Sequence, residues 1–310
     1  MGKDSQRQQE RHAIGADLIA VLVAAPNGNP VVLTIKDAAA LPSGPFELGH
    51  RSLQSGLRDW VEQQTGHPLG YIEQLYTFAD RDRSGEDSPS RVISISYLGL
   101  TREEPSHATP PGSWRNWYEF FPWEDHRYGA PQVIADLIEP ALRRWAGAGE
   151  HEDKRAKRLG RAAVCFGFDD RPWNEELTLQ RYELLYEAGL VEEAVRKEGA
   201  TGAPLVPGRA MDGDHRRILA TGIARLRTKI KYRPVVFELM PPAFTLLQLQ
   251  RAVEALAGVT VHKQNFRRLI EQQDLVEETG QMSSETGGRP AKLFRFRHAV
   301  LDERPVAGTK

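Results

Sequence analysis

The sequence predicts an α+β protein, in which an α/β/α sandwich with a mixed sheet is followed by a small domain of helices and one β-hairpin. Two apolar runs of strand length, Ala16–Ala25 and Val31–Ile35, flank the turn Pro26–Pro30 and begin the sheet. Residues 214–297 follow the order helix, helix, turn, helix and hairpin. At 310 residues with 40% hydrophobic content, the chain is long enough to bury two separate cores.

Composition excludes several classes of protein. The single cysteine, Cys165, excludes an internal disulfide and is typical of a reducing compartment. Residues 1–12 are polar, so we expect a disordered arm there and no secretory signal. No apolar run approaches the roughly 18–20 residues that span a bilayer. We therefore expect a cytoplasmic protein without membrane contact.

Charge is distributed unevenly along the chain. The net charge is −1, yet residues 211–310 contain 17 Lys and Arg against 11 Asp and Glu. The remaining residues have 24 basic and 31 acidic side chains. A basic C-terminal third after an acidic remainder suggests that this end binds a polyanion, although the charge counts alone favour chance unevenness.

The stretch Leu41–Gly66 predicts a loop, a helix and a turn. Its helix runs over Ser52–Gln64, with Ser52 as the N-cap and Gly66 at the C′ position. Four apolar side chains share one face of this helix: Leu53, Leu57, Trp60 and Val61.

This stretch resembles the Nudix box, GX5EX7REUXEEXGU, whose paired glutamates hold a divalent metal against a diphosphate. When the match is anchored on Thr65-Gly66, the Arg and following Glu positions hold Asp59 and Trp60. The two metal-binding Glu positions hold Gln63 and Gln64. A neutral amide offers a carbonyl oxygen but no charge, so it is a poor ligand for Mg²⁺.

A shift of the match by one residue does not restore the metal site. It places Arg58-Asp59 on Arg-Glu and Glu62 on one metal position, but Gln63 still interrupts the pair. We therefore expect a Nudix fold with little or no hydrolase activity, no catalytic residues, no metal site and no cofactor.

A second resemblance follows the box. The segments LYTFADRDR and RVISISYLGL, within residues 75–100, are similar to the strand, loop and strand of the Nudix-related transcriptional regulator family. The resemblance implies a sensor that binds ADP-ribose or a similar nucleotide and regulates NAD-related genes. The loop Leu41–Phe46 lies beside bound diphosphate in Nudix domains. The resulting candidate ligand-binding residues are Ser43, Gly44, Phe46, Arg81, Arg83 and Arg91. A solvated charged loop is the plain alternative for 80–83.

Four elements are expected between the sensor loops and the C-terminal third. The aromatic stretch Ser113–Asp125 includes a strand that ends at Pro122, and Gln132–Ala146 is a closing helix. Arg161–Phe168 has the appearance of another strand. Trp173–Ala194 predicts two short helices broken at Gly189.

The domain boundaries follow from these elements. We expect an arm at 1–12, a Nudix-like sensor at 13–147, a connector or extension with helices at 148–210, a DNA-binding domain at 211–300 and a tail at 301–310.

The C-terminal third has the order of a winged helix-turn-helix. Helices are predicted at Asp214–Tyr232, Thr245–Ala257 and His262–Gln273, with Thr245 as an N-cap. Two short strands, Leu275–Glu278 and Lys292–Arg297, complete the hairpin. Residues 211–297 also resemble the same regulator family.

The helix that begins at His262 is the candidate recognition helix. Its polar side chains suit the major groove, while Phe266, Leu269 and Ile270 are expected to face inward. The candidate DNA-binding residues are Lys263, Gln264, Asn265, Arg267, Arg268, Arg289 and Lys292. Such domains commonly act as homodimers, and segments 173–194 and 214–232 are candidate dimer surfaces unless they pack within one protomer.

Three functions remain open at this stage. The first is a ligand-responsive repressor that binds operator DNA and an ADP-ribose-like nucleotide. The second is a Nudix hydrolase with substitute metal ligands, for which the candidates are Glu47, Asp59, Glu62 and Glu73. The third is a protein-interaction module without a ligand.

Overall fold

The computed structural model describes residues 14–79, 91–102, 112–199, 202–232, 235–283 and 290–297. Among these residues a six-stranded mixed sheet forms the first domain. Its strands are β1 (Ile14–Ala24), β2 (Val31–Thr34), β3 (Ser43–Pro45), β4 (Ile72–Phe78), β5 (Arg91–Leu100) and β6 (Ser113–Asn116). The main order is β4-β5-β1-β2-β6, with β3 paired to β1. Strand β1 runs parallel to β5, and the other pairs are antiparallel.

Eight α-helices accompany the two sheets in the described residues. They are α1 (Leu53–Thr65), α2 (Glu139–Gly147), α3 (Glu152–Phe166), α4 (Thr178–Glu187), α5 (Glu192–Glu198), α6 (His215–Tyr232), α7 (Leu246–Ala257) and α8 (Lys263–Gln273). A π-helical turn over Ile134–Ile138 leads into α2. No helix in the described part of the chain could cross a bilayer.

Strand β1 divides the core of the first domain into two layers. Successive side chains of a strand point to opposite faces of its sheet. Leu18, Ala20 and Leu22 pack with Leu57 and Val61 of α1 on one face. Ile19, Val21 and Val23 belong to the larger cluster on the other face, which also contains side chains of α2, α4 and α6. The predicted sandwich with a mixed sheet is therefore confirmed.

The predicted strand at Arg161–Phe168 is wrong, because most of these residues form the end of α3. Ala162, Cys165 and Phe166 are buried at helical spacing, and a short apolar run of this kind fits a strand and a buried helix equally well. Gly167 then ends the helix in the left-handed conformation, with φ of 70°.

The strand expected to end at Pro122 is also shorter than predicted. Strand β6 stops at Asn116, whose side-chain oxygen accepts a hydrogen bond from the Tyr118 backbone N–H at 2.9 Å. This contact begins a 3-10 turn over Trp117–Glu119, and a second 3-10 turn covers Pro122–Glu124.

The two segments considered as dimer surfaces pack inside the protomer. Leu184 and Leu185 of α4 and Ile218 and Leu226 of α6 are all 0% exposed. Their apolar faces are therefore filled by the chain itself, which was the simpler of the two expectations.

The C-terminal domain contains α7, α8 and a hairpin of β7 (Val276–Ser283) and β8 (Ala291–Phe296). Thr245 caps α7 through a capping box with Gln248, and Gly258 ends the helix with φ of 74°. The backbone of Phe244 exchanges two hydrogen bonds with that of Phe294, which fixes the hairpin beside α7. This is the expected winged helix-turn-helix order.

Candidate nucleic-acid interface and ligand cavity

Helix α1 has the predicted shape. The Ser52 hydroxyl accepts a hydrogen bond from the Ser55 backbone N–H, and Gly66 closes the helix with φ of 69°. Leu57 and Val61 are 0% exposed and hold α1 against the sheet. The helix therefore keeps the position of a Nudix box while its polar side chains have other partners.

Gln64 binds the backbone of the loop that precedes α1. Its Oε1 accepts a hydrogen bond from the Ser43 N–H at 3.0 Å, and its Nε2 donates to the Ser43 carbonyl at 2.8 Å. Only an amide can accept and donate in this way, since an ionised carboxylate cannot donate. Gln64 is thus suited to binding the backbone of β3.

Trp60 lies about one helical turn before Gln64 on α1. Its Nε1 donates to the Pro45 carbonyl at 2.9 Å. Its ring covers Gly44 so closely that a Cβ on Gly44 would lie 2.3 Å from the indole. Glycine at this position therefore permits the indole to cover β3.

The four substitute metal ligands are not brought together. Glu47, Asp59 and Glu62 are exposed, and Glu73 on β4 forms an ion pair with Lys229 of α6. Among the described residues, no group of three His, Cys, Asp or Glu side chains could hold a metal ion.

A cavity of about 920 Å³ lies between the sheet and helices α3 to α6. The sheet contributes Asp17 and Ile19 of β1, Ser43 and Gly44 of β3, and Ser94 of β5. The helices contribute both aromatic and charged groups: Arg161, Tyr182, Glu183, Tyr186, Glu187, Arg196, Lys197, Asp214, His215 and Arg217. A cavity of this size and composition can accommodate a nucleotide.

Ion pairs link the helices that line this cavity. Arg161 of α3 contacts Glu187 of α4 at 2.7 Å, and Arg217 of α6 contacts Glu183 of α4 at 2.7 Å. Both pairs are partly exposed, so solvent weakens them and an anionic ligand can compete for the guanidinium groups. Tyr182 lies deeper, and burial raises the pKa of its hydroxyl.

The predicted ligand-binding residues are only partly brought together. Ser43 and Gly44 line the cavity, whereas the Phe46 ring is absent from its lining and packs against His50 with ring centroids 5.8 Å apart. Arg81 and Arg83 lie outside the described residues, and of Arg91 only the backbone in β5 is described.

Sequence reasoning missed the helical wall of the cavity. The sequence places Arg161 in a strand, and it places Tyr182 and Arg217 in helices that are candidate dimer surfaces. Apolar periodicity shows which face of a helix is buried, but it gives no information about a cavity at the end of that face.

Helix α8 presents most of its side chains to solvent. Lys263, Gln264, Asn265, Arg267 and Arg268 are all exposed. Among the residues that the structure describes, no carboxylate lies within ion-pair distance of the three basic side chains. These side chains are available to phosphates and base edges.

The inward face of α8 is narrower than predicted. Phe266 and Ile270 are buried, but Leu269 is 48% exposed, so its predicted inward orientation is wrong. Phe266 and Ile270 are four residues apart and form the buried stripe of α8, so Leu269 lies at the edge of that stripe. Leu269 therefore adds an apolar contact to the exposed face.

Two basic side chains of β8 form ion pairs with glutamates of β7. Lys292 contacts Glu278 at 2.8 Å, and Arg295 contacts Glu277 at 2.6 Å. Arg289 lies outside the described residues. A role for Lys292 in DNA binding therefore requires it to exchange Glu278 for a phosphate.

Residues 236–296 match the family model described as the NrtR DNA-binding winged helix domain. The C-terminal domain is therefore similar to an NrtR winged helix over these residues. It is also similar to the "ADPR responsive transcriptional repressor NtrR" of Acinetobacter baylyi, with 43% identity over 83 residues. That alignment spans 27% of this chain and 33% of the length of the relative.

The fold of the whole chain is similar to that of two solved structures. Shewanella oneidensis NrtR, solved in complex with a 27mer DNA, is 19% identical with a TM-score of 0.53 and coverage of 93% of this chain and 95% of the other. A MutT/nudix family protein from Enterococcus faecalis is 17% identical with a TM-score of 0.52 and coverage of 94% and 90%. These likenesses show the fold, which is a Nudix-like domain followed by a winged helix.

Proposed function

We propose that this chain is a transcriptional repressor of NAD-related genes whose affinity for operator DNA depends on an ADP-ribose-like nucleotide. The observation that carries the proposal is an NrtR winged helix whose recognition helix exposes Lys263, Arg267 and Arg268. Phosphate contacts by such groups give most of the affinity for DNA, and base contacts by Gln264 and Asn265 give specificity. A regulator of this kind acts in the cytoplasm.

The cavity beside β3 is the proposed effector site. The Acinetobacter baylyi relative is described as ADPR responsive. Arg161 and Arg217 face the cavity from opposite helices and suit a diphosphate, which guanidinium groups bind through paired hydrogen bonds. Tyr186 offers an aromatic ring to the base or ribose. Ser43 and Gly44 stay in the proposed ligand set from the sheet side.

Binding without hydrolysis follows from the box helix. Gln64 and Trp60 bind the backbone of β3 and do not supply carboxylates for a metal. Metal-assisted hydrolysis of a diphosphate requires such ligands, so the effector is expected to be released without being hydrolysed. A homodimer would match the twofold symmetry of a palindromic operator.

Selection of bound duplexes from a random pool tests the DNA half of the proposal. The full-length protein should enrich one sequence motif, and Arg268→Ala should weaken binding to that duplex. Failure to enrich any motif contradicts a repressor function and favours the protein-interaction alternative.

The selected duplex then tests the effector half. We expect ADP-ribose to change the DNA dissociation constant and to remain intact after incubation with Mg²⁺ or Mn²⁺. Turnover at an enzyme-like rate that Glu62→Gln abolishes would instead establish the hydrolase alternative.

A further inference from the structure

The C-terminal end of α7, the first helix of the helix-turn-helix, is held by groups that precede the winged helix of residues 236–296. The Tyr118 hydroxyl donates to the Ala255 carbonyl at 2.8 Å. Arg227 Nε donates to the Leu256 carbonyl at 3.0 Å, and the His126 backbone N–H donates to the Gly258 carbonyl at 2.7 Å. The last carbonyls of a helix lack partners within it, so these three donors replace solvent at that end.

The approach at Gly258 is unusually close. A Cβ at this position would lie 2.5 Å from the Glu124 carbonyl oxygen and 2.6 Å from Arg227 Nη2. Since both atoms are buried and hydrogen-bonded, neither can move aside easily. The end of α7 is therefore fitted to the sensor, and the two domains meet at a defined orientation.

Arg227 fixes this contact from α6. Its guanidinium is 1% exposed and donates to Glu124 Oε2 at 2.5 Å and to the Glu175 carbonyl at 3.1 Å. Glu124 also binds Arg181 of α4. Burial alone would raise the pKa of Glu124, but attraction to the two arginines outweighs burial and holds its pKa below the usual value. The cluster thus carries fixed charges that join the sensor, α4 and α6.

The other end of α6 lies at the cavity. Asp214, His215 and Arg217 line it, and His215 Nδ1 accepts a hydrogen bond from the Leu41 N–H at 3.0 Å. Arg217 precedes Arg227 by ten residues on one continuous helix, a separation of about 15 Å along the axis.

The middle of α6 rests against the sheet. A Cβ on Gly222 would lie 2.9 Å from a side-chain carbon of Val21 in β1. This contact lies midway between Arg217 and Arg227. A helix that is packed at its centre and held at both ends transmits a displacement of one end to the other more readily than a loop does.

We propose that α6 couples the cavity to DNA binding: Arg217 responds to the ligand, and Arg227 with Tyr118 sets the orientation of α7. This inference rests on the proposed function and adds its route of regulation. An anionic ligand takes Arg217 from Glu183 and repositions the first turn of α6. The shift reaches the end of α7 through Arg227 and changes how α8 is presented to the groove.

The test compares Tyr118→Phe and Arg227→Lys with the exposed control Arg225→Lys on the same helix. For each protein, the dissociation constant for the selected duplex is measured with and without saturating ADP-ribose. Allosteric coupling commonly changes affinity by about 5–150-fold. We expect the ratio of the DNA dissociation constants with and without ADP-ribose to lie in that range for the wild type and Arg225→Lys. For both interface variants we expect this ratio to be near one.

The affinity of each variant for ADP-ribose alone and for DNA alone separates coupling from loss of a site. The affinity for ADP-ribose should stay close to the wild-type value, because neither Tyr118 nor Arg227 lines the cavity. Binding to the duplex should remain measurable, because neither residue belongs to α8. If Arg227→Lys fails to fold by circular dichroism, Tyr118→Phe alone decides, since it removes one hydroxyl. A folded Tyr118→Phe with the wild-type ratio overturns the proposed route.

Failure of the proposed function gives a different pattern. A wild-type protein that binds duplex and ADP-ribose independently, with a ratio of one, overturns the effector response and the coupling together. A wild-type response that both interface variants retain overturns the coupling only.

Discussion

Two sets of arginines in this chain have opposite environments. Arg181 and Arg227 are at most 1% exposed and bind Glu124 together with backbone carbonyls. Arg267 and Arg268 are exposed on α8. A guanidinium whose donors are satisfied within the protein fixes structure, whereas one that faces solvent can bind a phosphate. The same residue type therefore joins the two domains at one site and is available to DNA at another.

Two glutamines show the same contrast. Gln64 on α1 makes two hydrogen bonds to Ser43 and is half-buried, whereas Gln264 on α8 is exposed. A polar side chain that already has partners gains little from a ligand, because it must first lose them. Helix α1 therefore has a structural role at Gln64, whereas the polar groups of α8 are accessible.

The largest expected effect is a loss of folding stability when the carboxylate of Glu124 is removed from the buried arginines. Glu124→Gln leaves two buried guanidinium groups without their carboxylate, and loss of one member of a buried ion pair costs about 3–5 kcal/mol. Urea unfolding at pH 7 should show this loss. Glu119→Gln is the control, because Glu119 lies in the same segment but is 41% exposed and 3.8 Å from Arg209. Equal losses for the two variants would contradict a special role for the buried cluster.

Replacement of the exposed arginines of α8 should weaken DNA binding and leave the stability of the fold unchanged. Arg267→Ala and Arg268→Ala should each weaken binding to the selected duplex by about 1–3 kcal/mol, with an unchanged melting temperature. If an arginine contacts phosphate, its loss should reduce the slope of log K against log salt concentration by about one. Lys154→Ala on α3 removes one exposed charge elsewhere and should leave affinity unchanged. Equal losses for all three variants would indicate only nonspecific attraction.

Part of this contrast was predictable from sequence, because it depends on local signals. Ser52, Gly66 and Thr245 mark the two ends of α1 and the start of α7 as predicted. The polar positions of α8 follow from its spacing. Cap and period signals act within one or two turns, so they can be read without knowledge of the tertiary contacts.

The buried cluster and the cavity were not predictable in the same way. Arg227 and Glu124 are 103 residues apart in sequence, and either could have been a surface charge. The cavity combines Asp17, Ser43 and Arg161 with Arg217, which belong to β1, β3, α3 and α6. No spacing rule connects such elements until their packing is known. Because the sequence predicts a strand at Arg161–Phe168, it does not place Arg161 on a helix beside the cavity.

The glutamine contrast gives a smaller effect. In Gln64→Glu a carboxylate faces the Ser43 carbonyl and cannot donate to it, so we expect a loss of about 1–2 kcal/mol in unfolding free energy. Gln63→Glu is the matched control, since Gln63 is the exposed neighbour of Gln64 on the same helix. Thermal unfolding of the two variants without divalent metal measures the difference. A Gln64→Glu protein as stable as Gln63→Glu would show that the contact with β3 contributes nothing.

A further effect depends on pH and concerns His126, whose ring stacks on Trp173 with centroids 3.7 Å apart beside the buried arginines. Burial lowers the pKa of His126 from 6.5 to about 4, although Glu124 partly opposes the shift. The folded protein therefore binds this proton less readily than the unfolded chain does, and stability should decrease as pH falls from about 6.5 toward 4. Melting temperatures over this range should fall less steeply for His126→Gln than for the wild type and the exposed control His151→Gln. Parallel curves for all three proteins would show that the ring is as accessible to protons as an exposed histidine, and that the interface beside α7 is not closed to water.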